Sequence, residues 1–261
     1  MSWSLKRQLI VLLILFVFLG MFAGLALLLN KPALSCFDNK QNQGEEGVDC
    51  GGPCNNFCPN AVNDPIVRWS RVLPVRAQQF DAVAYIENPN PTAGLSKVDY
   101  TFRLYDAKNS PIVERKGSTF INPGEKFALY EPNVDVGNAV PVRAFLELKK
   151  PSEGYPWRKI RVASDARPNL TIRSKQFDDS TGNSVTASMA NESLADGHAI
   201  RIVAVLYDSN GNVTGASSTF VDVIKGGAEV PIVFTWPNRF TENPANLELY
   251  LHYNQGIVSG N

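Results

Sequence analysis

Hydrophobic residues are arranged along the chain in two different ways. Residues 9–29 form one uninterrupted apolar run, whereas after residue 65 apolar and polar positions mostly alternate. As a helix, about 20 apolar residues cross a bilayer core of about 30 Å. The run therefore predicts a transmembrane helix over residues 8–30, which contacts the lipid bilayer directly and leaves a short tail at residues 1–7.

Basic residues flank the apolar run unevenly. Lys6 and Arg7 precede it and only Lys31 follows closely, so the positive-inside rule predicts a cytoplasmic N-terminus and an extracytoplasmic location for the rest of the chain. A cleaved secretion signal is the alternative, since residues 24–26 offer a small-x-small site. Signal peptides have apolar segments of about 7 to 15 residues, and the longer run here favours a retained single-pass anchor.

Two glycines inside the run have the spacing of a helix-association motif. Gly20 and Gly24 form a G-x-x-x-G pair, which lets two helix backbones approach closely. A homodimer through this face is one interpretation. The other is that glycine is simply common in membrane helices.

Alternation with a period of two begins after the cysteine-containing segment. The clearest stretch has apolar side chains at every second position, namely Val98, Tyr100, Phe102 and Leu104. Similar alternation recurs in residues 142–148 and 247–253, and turn sequences such as "NPGE" and "DSNGN" separate the stretches. This pattern is typical of short, half-buried β-strands. No helical period follows the membrane segment.

Two stretches of the chain resemble each other. "VDYTFRLYDAKNSPI" at residues 98–112 and "IRIVAVLYDSNGNVT" at residues 200–214 match with an offset of about 102 residues. The fold prediction is a mainly β chain with an N-terminal transmembrane helix, a small Cys-rich loop segment and two tandem immunoglobulin-like β-sandwiches, at residues 65–164 and 168–256. Because Pro168 stiffens the short linker, we expect a semi-rigid rod.

The first of these stretches contains F-x-L-Y-D at residues 102–106, between "ENPNPTAGLSKVDY" and "INPGEKF". It resembles the FxLYD domain family, which is similar to the late-embryogenesis-abundant group 2 sandwiches with their N-P-N-P turn. The resemblance implies the sandwich fold and an extracytoplasmic location, without a shared catalytic chemistry. The second stretch departs from the pattern, with Ala204 in place of phenylalanine and "ANES" in place of "NPNP".

All the cysteines of the chain lie in the segment 35–60. They are Cys36, Cys50, Cys54 and Cys58. In an exported segment too short to form a core, they favour two disulfides, with three pairings open. Four thiolates on zinc are the alternative, although structural zinc ligands come in pairs two to four residues apart and Cys36 stands alone.

The same segment carries oxygen ligands that suit a calcium ion outside the cell. The candidate ligands are Asp38, Asn42, Glu45 and Asp49. An EF-hand register fails, because Lys40 occupies its third position and Gln43 replaces the required glycine. The segment resembles the C-x-D-(G/N)-x-x-N-x-G-E-x-G-x-D-C-G-G-x-C repeats of bacterial cell-surface and adhesion-type proteins. A solvated acidic loop is the alternative to a Ca²⁺ site.

Charge and histidine content narrow the function further. The chain has 25 basic and 25 acidic residues and no basic block, which speaks against a nucleic-acid partner. Its two histidines, His198 and His252, lie near no nucleophile motif, and we expect His252 on the outward face of a strand. Trp69, Trp157 and Trp236 fit core or inter-sheet positions better than ligand platforms.

The sequence therefore predicts a membrane-anchored, extracytoplasmic, non-catalytic β-sandwich protein of the cell envelope, with an envelope or surface protein as partner and no cofactor. Two alternatives remain. One is a Ca²⁺-responsive surface module that uses the acidic loop. The other is an extracytoplasmic hydrolase, which needs a concave pocket with paired carboxylates of perturbed acidity.

Overall fold

The structure is a computed structural model that describes residues 3–29, 35–149, 156–160, 167–178, 182–240 and 244–256. The chain divides into two compact units, Met1–Pro53 and Cys54–Asn261. The first unit begins with helix α1 (Trp3–Leu29), in which Lys6–Ala26 has a mean hydropathy of 3.0 and is exposed. This helix is long and apolar enough to cross a membrane; a secretion signal near the N-terminus meets the same criterion.

The rest of the first unit, residues 35–53, is a loop of tight turns with one short antiparallel bridge between Gly47 and Cys50. Its backbone enters the left-handed region six times, at Asn39, Gln43, Gly44, Asp49, Gly51 and Gly52. Five of these six are asparagine, aspartate or glycine, the residue types that adopt this conformation at the lowest cost. The local composition thus explains how the loop folds without a hydrophobic core.

The second unit is built from β-strands. The described strands are β1 (Ile66–Arg76), β2 (Gln79–Glu87), β3 (Ala93–Tyr105), β4 (Pro111–Ile121), β5 (Lys126–Asp135), β6 (Arg143–Leu148), β7 (Arg158–Lys159), β8 (Leu170–Phe177), β9 (Ser184–Asn191), β10 (Gly197–Tyr207), β11 (Val213–Ile224), β12 (Glu229–Thr235) and β13 (Asn246–His252). Every pairing between them is antiparallel. A 3₁₀ turn at Pro59–Ala61 precedes them. The mainly β prediction is confirmed.

The first seven strands form two sheets around one core. The sheet β1-β2-β5 faces the sheet β4-β3-β6, and β7 pairs with the start of β3. The alternating side chains of β3 point into this core, where Phe102 and Leu104 are at most 1% exposed. The polar residues between them face outward, as the period of a strand requires.

The last six strands repeat the same strand order. The sheet β8-β9-β12 faces the sheet β11-β10-β13 around a second core. Met189, Ile200, Ile202, Leu206, Ile224 and Phe234 are among its largest members and are at most 1% exposed. The described sheets are thus two facing pairs, each closed over apolar side chains, and this burial is the main stabilising contribution to both.

The two sandwiches pack face to face, so the expectation of a rod is wrong. A third apolar cluster lies between the sheets β1-β2-β5 and β11-β10-β13 and joins residues of both: Leu73, Val83, Ala128, Val203, Val205 and Ala216. Strands β2 and β10 consequently have apolar side chains on both faces. Residues 202–206 are all at most 1% exposed, and their unbroken apolar run is the sequence signal for this double burial.

The segment that follows Cys54 is tied to the first sandwich. Phe57 packs against the first core and donates its backbone N–H to the carbonyl of Trp157 (2.8 Å). Lys159 donates to the carbonyl of Asn55 (2.8 Å), and β7 in turn pairs with β3. Trp157 is 5% exposed and belongs to the first core. The second half of the Cys-rich segment is therefore fixed on a folded domain.

Candidate functional site

The four cysteines of the Cys-rich segment are all disulfide-bonded, which confirms the disulfide prediction. The two bonds stabilise a segment that has no core of its own, chiefly by restricting the unfolded chain. The zinc interpretation is wrong, because a disulfide sulfur is not the thiolate ligand that zinc requires.

The four candidate calcium ligands lie together in the acidic loop. N–H groups that donate hydrogen bonds to the carboxylate oxygen atoms hold them there. The Asp49 carboxylate accepts the backbone N–H of Asp38 (2.9 Å) and of the next residue (3.0 Å). The side-chain amide of Asn42 donates to Asp38 (2.9 Å). Glu45 accepts the backbone N–H groups of Asn42 and Asp49, at 3.3 Å each.

These hydrogen bonds bear directly on metal binding. N–H donors already surround the carboxylates. They occupy the positions next to the oxygen atoms that a cation occupies in a calcium loop. The side-chain oxygen of Asn42 is buried and accepts no hydrogen bond from the described residues. Asn42 Oδ1 is thus the candidate ligand atom that a bound ion reaches without displacing a donor.

Gly20 and Gly24, the residues of the predicted helix-association face, both lie in α1. Gly20 and Gly24 lie one turn apart, and no described atom would lie within 4 Å of a Cβ added to either. Both positions are therefore open to a second helix or to lipid.

A cleft of about 600 Å³ opens between the two sandwiches. The first sandwich lines it with Leu73, Asp81 and Tyr130, and the second with Asp208, Trp236 and Arg239. Asp81 is only 6% exposed; its carboxylate accepts the Tyr130 hydroxyl and the backbone N–H of Asn133 (2.9 Å). Asn133 has a positive φ at an irregularity in the pairing of β2 and β5, so Asp81 stabilises that bend.

Two carboxyl groups among the described residues of the cleft have opposite pKa shifts. Burial raises the pKa of Asp81, and its hydrogen bonds from Tyr130 and Asn133 offset part of that effect. Hydrogen bonds from Asn212 lower the pKa of Asp208. Desolvation disfavours a charged group, whereas donors to a carboxylate favour its charged form.

An aromatic recess of about 570 Å³ adjoins the cleft. Trp69 stacks on Tyr85 with ring centroids 5.9 Å apart, and Tyr207 meets Trp69 edge to face at 6.4 Å. Tyr250 lies 5.2 Å from Tyr85 and donates its hydroxyl to Glu248. Burial and the neighbouring Glu248 carboxylate raise the pKa of Tyr250, so this ring keeps its proton and acts as a donor.

His252 is on the face of β13 that points away from the second core, as the sequence predicts, but this face is covered by the first sandwich and is not exposed to solvent. It is 6% exposed and lies between the rings of Phe120 and Phe127, with centroids 4.1 and 4.4 Å away. Its Nε2 is 3.0 Å from the Thr119 hydroxyl and its Nδ1 is 2.8 Å from Glu125. The outward face of β13 packs on the first sandwich, so this histidine links the two sandwiches.

No protein-family model matches the chain, and no curated protein sequence matches it. Function is therefore inferred from the residues and their geometry. The sequence did not indicate the cleft or the recess, because the residues from the two sandwiches that line them lie more than 70 positions apart. The apolar run at residues 202–206 was the signal that could have indicated a second buried face on β10.

Proposed function

We propose that the chain is a single-pass membrane protein that holds two tandem immunoglobulin-like sandwiches of the FxLYD type outside the cell membrane. There they act as a non-catalytic binding or assembly module of the cell envelope. The observation that carries this proposal is the combination of an apolar N-terminal helix with a segment whose cysteines are all disulfide-bonded. Disulfides persist in oxidising compartments outside the cytosol.

Several features support two copies of one sandwich. Leu104 and Leu206 are both 1% exposed, at the offset of 102 residues. Asp106 and Asp208 each end a strand and start a turn with the same hydrogen bonds, accepting the backbone N–H groups two and four residues ahead. The strand orders β4-β3-β6 and β11-β10-β13 also correspond. These parallels favour a duplication of the FxLYD-like unit.

The proposed anchor and orientation are tested with the full chain, tagged at its C-terminus and expressed in bacterial cells. We expect the protein to stay in the membrane pellet after alkaline carbonate extraction, because a spanning helix resists it. Protease added outside intact spheroplasts should remove the tag.

The matched control replaces Lys6 and Arg7 with glutamine, which removes the charge bias that sets the orientation. In this variant we expect mixed orientations, so that in a fraction of the molecules the tag is protected from the external protease. Extraction of the wild-type protein by carbonate, or a tag that resists external protease until the membrane is lysed, would contradict the proposal.

The calcium-responsive module is an alternative that the free Asn42 Oδ1 favours. Calorimetric titration of the full chain with millimolar Ca²⁺ should then give a binding heat, which Asn42→Ala abolishes and which the same titration with Mg²⁺ lacks. The absence of heat with Ca²⁺ would leave the loop as a disulfide-bonded structural segment.

The hydrolase alternative is favoured by the cleft, where Asp81 and Asp208 have pKa values shifted in opposite directions. Such pairs occur in acid–base catalysis. However, both carboxylates already support the backbone, Asp81 at the bend near Asn133 and Asp208 in its turn. Turnover of chromogenic glycosides or peptides that Asp81→Asn abolishes would establish the enzyme. We expect no turnover.

A further inference from the structure

The cleft and the aromatic recess form one continuous groove along the seam between the sandwiches. Asp208, Ser209 and Ala245 line both cavities. Their volumes, about 600 and 570 Å³, are each in the range of small-molecule sites. Two such cavities joined end to end suit a chain of several similar units better than one compact ligand. We call this surface the seam groove.

Aromatic rings form the floor of the seam groove at its recess end. Trp69, Tyr85, Tyr207 and Tyr250 are all half-buried, so each packs against the protein and still contributes to the surface. Tyr85 is on β2 and Tyr207 on β10, the central strands of their sheets. Trp69 and Tyr250 are on the outer strands β1 and β13, but all four residues contribute rings to the floor, not backbone groups of a strand edge. A peptide that binds by adding a strand needs such an edge.

Polar groups at the seam groove are mixed and carry a small excess of negative charge. Beside the aromatic rings, the recess is lined by Glu248, Asn246 and Ser209. The cleft is lined by Asp81 and Arg239. Carboxylate and amide groups pair well with hydroxyl groups, which both donate and accept. An anionic polymer would meet like charge at Asp208 and Glu248, which disfavours it.

We propose that the seam groove binds a neutral oligosaccharide. The apolar C–H face of a sugar ring lies against the aromatic floor, and its hydroxyls pair with the carboxylates and amides at the rim. This inference rests on the proposed function, because an extracytoplasmic module meets glycans of the envelope or of other cells. It adds the ligand class and the site to that function.

The test uses the full chain in lipid nanodiscs, since glucoside and maltoside detergents would compete for the groove. The probes are cellohexaose, mannohexaose and chitohexaose, added up to millimolar concentration. Trp69 and Trp236 line the groove, so we expect a saturable change in tryptophan fluorescence and a matching binding heat with at least one of the three sugars.

Two variants test the location of binding. Trp69→Ala removes the stacked ring and should weaken binding about tenfold, which corresponds to the roughly 1.4 kcal/mol that a good aromatic contact contributes. The matched control is Phe145→Ala on β6, an aromatic residue that is 57% exposed and lines neither cavity. Glu248→Ala should weaken binding severalfold, whereas Glu229→Ala, an exposed carboxylate on β12, should not.

The outcomes separate this inference from the proposed function. Two results would overturn the groove assignment. One is the absence of a binding heat with all three sugars, and the other is a loss of binding in Phe145→Ala as large as that in Trp69→Ala. Tetralysine that binds more tightly than every sugar would overturn the ligand class. If Trp69→Ala fails to fold, the Glu248 and Glu229 pair decides. Membrane extraction and protease access are unaffected by any of these results, so the anchored module stands or falls separately.

Discussion

Individual polar side chains in this protein stabilise the backbone at positions where the strands bend or end. Asp106 and Asp208 accept two backbone N–H groups each at the ends of β3 and β10. Asp81 stabilises the bend of β5, and Asn88 donates its buried amide to the carbonyls of Ala93 and Asn122 (2.8 and 2.7 Å). Polar groups that are paired in this way fix the backbone. A buried polar group that is left unpaired lowers the stability of the fold by about 1–3 kcal/mol.

Gly52 should be the most sensitive glycine of the Cys-rich segment. Its φ is +48°, and a Cβ added there would lie 2.0 Å from the backbone oxygen of Gly44. We expect Gly52→Ala to prevent correct formation of the disulfides, with mixed or incomplete bonds by non-reducing peptide mass spectrometry.

Gly44→Ala is the matched control for this prediction. Gly44 also has a positive φ, +90°, but no atom of the described residues would lie within 4 Å of a Cβ added to it. Its cost is the backbone strain alone, about 1–2 kcal/mol. Equal disulfide patterns in the two variants would show that the close contact between Gly52 and Gly44 is absent.

Asp81 and Asp208 should affect stability with opposite pH dependence. The pKa of Asp81 is raised in the fold, so the native state binds its proton more readily than the unfolded chain. Its stabilising contribution is greatest below the unfolded pKa and is lost as pH rises through the folded pKa. The pKa of Asp208 is lowered, and its contribution is lost as pH falls through the folded pKa.

Thermal unfolding of the wild type, Asp81→Asn and Asp208→Asn between roughly pH 7 and pH 3 measures both effects. The difference in Tm between the wild type and Asp81→Asn should move in favour of the wild type as the pH falls. The difference between the wild type and Asp208→Asn should move the other way. Parallel curves for the two variants would contradict the environments described for these carboxylates.

At the scale of elements, β2 and β10 decide how the sandwiches are arranged. Each is the central strand of its sheet and has one face in its own core and the other in the inter-sandwich cluster. Burial on both faces explains why Val203 and Val205 are valines in positions that an exposed face would fill with polar residues.

The sequence predicted the strands and the apolar N-terminal helix well, because alternation and unbroken apolar runs are local signals. The alternating pattern correctly predicted the burial of Phe102 and Leu104. The turn sequence that follows correctly predicted the turn at Asp106. The packing of one sandwich on the other was not predictable in the same way. It depends on side chains such as Leu73 and Ala216, which have no local pattern in common. His252 lies on the outward face of β13, as predicted, but its burial was not foreseen for the same reason, since the first sandwich covers that face.

Val203 should be far less tolerant of charge than a valine on a free face. Val203→Asp places a carboxylate at a position with 0% exposure between the sandwiches. We expect a loss of about 3 kcal/mol and a Tm lower by roughly 6–12 °C. Val233→Asp on β12, where the valine is 51% exposed, should change Tm by a small fraction of that. Similar losses in the two variants would contradict face-to-face packing.

At the scale of the whole molecule, the second unit contains two sandwiches that are held together by an apolar contact. Apolar side chains form its centre, and polar links lie beside it: His252 with Thr119 and Glu125, and the side-chain amide of Asn238 donating to the carbonyl of Val75 (3.1 Å). These contacts position residues of both sandwiches along one groove. A fixed groove is what a binding module needs, since pre-organised groups lose less entropy on binding.

The thiol state of the four cysteines in cells tests the central claim most directly, that this module folds outside the membrane. The full chain is treated with maleimide-polyethylene glycol after lysis, with and without prior reduction. We expect no alkylation before reduction and four additions after it. A variant without residues 3–29, retained in the cytosol, should be alkylated without reduction. Four reactive thiols in the full-length, membrane-bound chain would contradict an extracytoplasmic, disulfide-bonded module.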